Sequence, residues 1–138
     1  MRYALLLLLA ATSVPLAQET SESASAFDGE TGWRQVPFED RKRLFAAQHR
    51  DVAWASMMER AITDKITSWD QPPVQVVGTE CRETLCKISM FWSEPRLQEM
   101  GQQLSSLDVL GVDGQGPTHG VQEGNGYLWT VILRRERR

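Results

Sequence analysis

Val76-Val77-Gly78-Thr79-Glu80-Cys81-Arg82-Glu83-Thr84-Leu85-Cys86-Lys87-Ile88-Ser89-Met90-Phe91 holds both cysteines of the chain. Strand-forming residues flank them on each side, so the stretch reads as an antiparallel hairpin with a Cys81–Cys86 disulfide at its turn. Setting the two cysteines opposite each other pairs Glu80 with Lys87, Thr79 with Ile88, Val77 with Met90 and Val76 with Phe91. An opposite-charge pair then sits beside the turn, with apolar pairs behind it, each worth about 0.2–1 kcal/mol. A bridge across so short a loop adds about 2 kcal/mol in the chain-entropy model. Its larger effect is on register, because a one-residue slip would exchange the two faces of the sheet.

The cysteines read as a bond because of what begins the chain. Met1-Arg2 gives a positive start, Tyr3 to Ala11 is unbroken apolar sequence, and small residues follow to Ala17. That is the pattern of a secretory signal peptide over residues 1–17, cleaved after Ala17 or, as an alternative, after Ser13. The run is too short to span a bilayer, which takes about 20 apolar residues. A product exported to the periplasm, or secreted, meets an oxidising compartment, where two nearby cysteines pair.

Residues 18–32 (QETSESASAFDGETG) carry one large apolar side chain, Phe27, and read as a flexible leader. From residue 33 to 138 the pattern is that of one domain. Trp33, Val36 and Phe38 dock the chain, and Leu44 and Phe45 belong to a first short helix. Asp51 caps a longer one, with Trp54, Ala55, Met58, Ala61, Ile62, Ile66 and Trp69 at three- and four-residue steps. Glu59, Arg60, Thr63, Asp64 and Lys65 read as its solvated face. Pro72-Pro73 stops the helix. After the hairpin, Ser93-Glu94-Pro95 opens a second amphipathic helix through Leu97, Met100, Leu104 and Leu107.

Gly111 to Pro117 reads as a glycine-rich connector, Thr118 to Glu123 as a short strand, and Gly124-Asn125-Gly126 as a turn. Tyr127 to Leu133 is apolar on both faces, as a covered inner strand should be. Arg134 to Arg138 reads as an exposed basic tail. The expected fold is α+β, a two-layer domain in the order α-β-β-α-β-β. Its sheet is mainly antiparallel, with helices on one face and one hairpin disulfide.

Chemistry is sparse. The C-x4-C spacing of Cys81 and Cys86 is not the C-x-x-C of thiol oxidoreductases. With His49 and His119 these are zinc-type ligands, but paired histidine spacing is missing, so no metal or other cofactor is expected. His49 and His119 are isolated and read as surface residues. Five tryptophans are present. Trp54, Trp69 and Trp129 fit core positions, whereas Trp33 and Trp92, at segment edges, join Arg82 and Glu83 as the candidate binding surface. A net charge of −3 and the absence of a large basic patch argue against nucleic acid.

Asp51-Val52-Ala53-Trp54-Ala55, Met58-Glu59, Glu80-Cys81-Arg82, Thr84 and Cys86 together make a D-x-x-W-A helix followed by an E-C-R-x-x-x-C hairpin. This resembles a recurrent pattern in small exported proteins of proteobacteria. The resemblance covers residues 50 to 91; it implies export and the disulfide hairpin and carries no activity. The expected role is a periplasmic, non-enzymatic interaction module, such as an inhibitor, immunity-like or envelope accessory protein, with an envelope protein as partner. The competing class is a small envelope enzyme, using Cys81/Cys86 as a redox pair or His49 or His119 for hydrolysis.

Overall fold

The computed structural model describes residues 30–70, 74–93 and 97–136. The expected signal peptide (residues 1–17), residues 18–29 of the expected leader, Pro72-Pro73, Glu94-Pro95 and Arg137-Arg138 lie outside these. Three helices come first: α1 (Glu30–Gln35), α2 (Phe38–Ala47) and α3 (Val52–Thr67). The hairpin strands follow, β1 (Val74–Cys81) and β2 (Leu85–Trp92). Next come α4 (Leu97–Ser105), a 3-10 turn (Ser106–Leu110), β3 (Val112–Asp113), β4 (His119–Glu123) and β5 (Gly126–Arg135). The class is α+β. α1 begins at Glu30, within the segment read as leader, and β3 occupies part of the expected connector.

All strand pairings are antiparallel. β5 lies at the centre, with β2 and then β1 on one side; β3 and β4 share its other side, β4 at its start and β3 at its end. Gly124 takes a left-handed φ of 59° in the tight β4–β5 turn, where glycine carries no steric penalty.

Near the disulfide the hairpin register is the expected one, with Cys81 opposite Cys86, Glu80 opposite Lys87 and Thr79 opposite Ile88. It then departs from expectation. A bulge at Val77 pairs Gly78 with Ser89 and sets Val76, not Val77, opposite Met90; Phe91 faces Gln75. The reason lies in the faces. Thr79 meets Thr63 of α3 at 3.0 Å between hydroxyls, and strict alternation would carry Val77 inward while turning Val76 and Val74 away. One extra residue reverses this, so that Val74 and Val76 pack on the core and Val77 is left 60% exposed.

α3 covers one face of the sheet. Asp51 caps it by accepting from the Trp54 N–H, and Trp54, Ala55, Met58, Ile62 and Ile66 are buried. They pack against Cys81, Cys86, Ile88, Met90, Trp92, Val131 and Leu133, with Met100, Leu104 and Leu107 closing the side. Leu97, expected on that stripe, is exposed.

The other face is covered too, which corrects the expected one-sided arrangement. Leu85 and Ile132 point away from α3 and are buried with Trp33, Val36 and Phe45 of the α1–α2 segment. Strands apolar on both sides need cover on both.

This second layer is pinned by a buried charge. Arg41 of α2 donates to the carbonyls of Trp33 (2.5 Å), Val36 (3.1 Å), Ile132 (3.1 Å) and Gln115 (3.4 Å). Ile132 lies where β5 has no strand partner on its outer side, since β4 stops pairing at Thr130 and β3 resumes at Arg134. The guanidinium fills that gap in the ladder. Burial pushes its pKa down to about 10, against the favourable charge of Asp113, so it stays a cation at neutral pH. The loop Gly114-Gln115-Gly116 wraps this group. Gly116 has φ of 111°, and a Cβ there would fall on the Arg41 guanidinium.

Candidate functional site

The turn of the hairpin is braced from two sides. Cys81 and Cys86 are bonded, with Cα atoms 4.0 Å apart, as in a closely spaced non-hydrogen-bonded pair. In such a pair the Cys81 N–H and C=O point away from β2, and β1 is an edge strand. Both groups are satisfied by side chains from α3 and from the segment just before it. Glu59 accepts from the Cys81 N–H at 2.9 Å, Arg50 donates to the Cys81 carbonyl at 3.2 Å, and Arg50 and Glu59 form a two-point ion pair. Glu59 therefore does not belong to a purely solvated face. The Arg50 hydrogen bond, helped by the Cys81 N–H, holds its carboxyl below the usual carboxylate range. On the other flank Gln48 donates to the Thr84 hydroxyl and accepts from the Thr84 N–H, at 2.6 and 3.0 Å.

These contacts leave an open cleft of about 870 Å³ between α2, the first half of α3, the hairpin tip and the end of β5. Leu44, Trp54, Met57 and Leu85 supply its apolar lining, Arg134 and Arg135 its positive charge, and Glu136 one carboxylate. Met57 is 60% exposed and Leu44 38%. The two arginines are not a free tail: both belong to β5, with Arg134 over the Trp33 ring at 5.6 Å and Arg135 over Trp54 at 4.8 Å. Stacking on rings this way orients a guanidinium.

The expected binding surface is dispersed. Trp33 is 2% exposed and Trp92 fully buried, so neither is an exposed anchor. Each sits at a segment edge in sequence, but Trp33 is covered by α2 and Trp92 by the α3 layer. Arg82 and Glu83 lie in the hairpin turn; Glu83 is exposed, and Arg82 stacks on Phe45 at 5.1 Å while pairing with Glu80. Trp54 is buried, and Trp69 and Trp129 pack against the same core. His49 is exposed between α2 and α3; His119 is exposed on β4, its ring stacked on Phe38 at 5.2 Å.

Among the described residues no group of three or more His, Cys, Asp or Glu side chains is placed to hold a metal ion. Nor is any helix there long and apolar enough to cross a membrane. Reading the sequence missed Leu44, Met57, Arg134 and Arg135 as site residues. Met57 did leave a signal, because it is a large apolar side chain off the buried stripe of α3. No protein-family model matches this chain, and no characterised protein or solved structure matches it.

Proposed function

We propose that this chain is an exported, non-enzymatic interaction module of the inhibitor, immunity-like or envelope accessory kind. Its docking site is the cleft beside the hairpin tip, and its partner is an envelope protein presenting an apolar side chain flanked by carboxylates. One observation carries the reading: the cleft joins exposed apolar side chains, Leu44 and Met57, to two ring-stacked arginines, Arg134 and Arg135. Apolar anchors with adjoining arginines are the composition of interface hot spots, and the arginines set the charge of what binds. Export to an oxidising compartment, the periplasm, is supported by the leader-like start of the chain and by the Cys81–Cys86 bond.

The test is capture from an envelope extract by the immobilised chain and by three variants. The native chain and Val121→Asp, altered at an exposed position on β4, should retain one stoichiometric partner. Met57→Asp and Arg135→Glu should lose it. Equal capture by all four, or capture by none, removes the reading.

A further inference from the structure

A second cleft, of about 450 Å³, lies over the sheet face that α2 leaves uncovered, and it has a different chemistry. Phe38, Lys42 and Phe45 of α2 form one wall, Arg82 and Lys87 another, and His119 the rim; Ser89 and Thr130 are among its lining. Ser89 and Thr130 are direct cross-strand partners on β2 and β5, pointing away from α3. Neither hydroxyl is hydrogen-bonded to another described residue. The Arg82 Nε is buried and also lacks a hydrogen-bond partner among the described residues.

The charges do not cancel. Among the described residues Glu80 is the one carboxylate paired with both Arg82 (2.8 Å) and Lys87 (3.9 Å). Lys42 is held by Glu39, whose side chain is 67% exposed. Among the described residues one positive charge thus stays uncompensated in a concave site, on a chain whose net charge is −3. The cations are also pre-positioned: Arg82 and Lys87 both stand over the Phe45 ring, at 5.1 and 5.0 Å. Side chains already held in place lose less entropy when they close on a ligand.

We infer that this cleft binds the oxyanion group, phosphate or carboxylate, of a small ligand. Arg82 and Lys87 supply the charge, and the Ser89 and Thr130 hydroxyls donate from the floor. Glu80 holds the two cations in place and competes with the ligand for them. The site is distinct from the docking cleft, and its test does not depend on that reading.

The experiment is a titration of the full chain with sodium phosphate and, separately, sodium citrate, followed in ¹H–¹⁵N spectra. Sodium chloride at matched ionic strength is the control. Saturable shifts centred on the amides of Arg82, Lys87, Ser89 and Thr130 are expected, with half-saturation at about 1 mM or below. Response to phosphate alone identifies a phosphate ester as the ligand class, response to citrate alone a carboxylate, and response to both the shared oxyanion chemistry. Arg82→Gln should weaken binding about tenfold. Glu80→Gln should strengthen it, an outcome that a damaged fold would not produce. Absence of saturable shifts with either anion, the same shifts in chloride, or half-saturation unchanged in both variants would overturn the inference.

Discussion

Arg41 on α2 donates to the backbone carbonyl of Ile132 at the one stretch of β5 left unpaired between β4 and β3. A side chain thus completes a β-ladder and ties the second helical layer to the sheet. Buried carbonyls without a partner are costly, so this contact is a condition for the α1–α2 segment to pack where it does.

Arg41→Ala should therefore destabilise the chain by about 3 kcal/mol or more, since it leaves several buried carbonyls without a donor. Arg41→Lys should recover only part of the loss, because an ammonium cannot reproduce the planar fork. Urea unfolding followed by tryptophan fluorescence measures both.

Replacing Cys81 and Cys86 together by Ala should lower stability by about 2 kcal/mol, the modest effect of opening a short loop. The hairpin should survive, because the Glu59–Cys81 N–H and Gln48–Thr84 contacts act at the same tip through residues that remain. Loss of the β1–β2 amide pattern in NMR spectra of the double variant would show that the bond sets the register alone.

Glu59 gives the fold an acid-side dependence with a defined sign. Its folded pKa is depressed by the Arg50 hydrogen bond. Its contribution is therefore complete above the carboxylate's unfolded value and is lost as pH falls through the lower folded one. Glu59→Gln should be less stable than the native chain at neutral pH and show a shallower decline below about pH 4. Unfolding midpoints measured from pH 7 downwards check this.

Val77 separates two consequences of one bulge. Val77→Lys changes an exposed side chain and should alter stability by less than about 0.5 kcal/mol. Deleting Val77 removes the extra residue and leaves a regular ladder in which Val74, Val76, Thr79 and Cys81 keep their faces, so the hairpin should form without the bulge and the core should stay packed. Paired urea curves check both, and a large loss of stability on deletion would show that the bulge itself is required.

The sequence by itself determined the local elements: the hairpin and its disulfide register, the Asp51 cap, the buried stripe of α3, and the β4–β5 turn. Each depends on residues a few positions apart, so propensity, periodicity and turn chemistry are enough to read it. The tertiary structure alone decided the helical cover on the second face, the bulge, the fate of Trp33 and Trp92, and the clefts. Arg41 meets Gln115 and Ile132 across 74 and 91 residues of chain. No local pattern encodes that meeting; it arises where two apolar strand faces both demand cover and a gap in the ladder demands a donor.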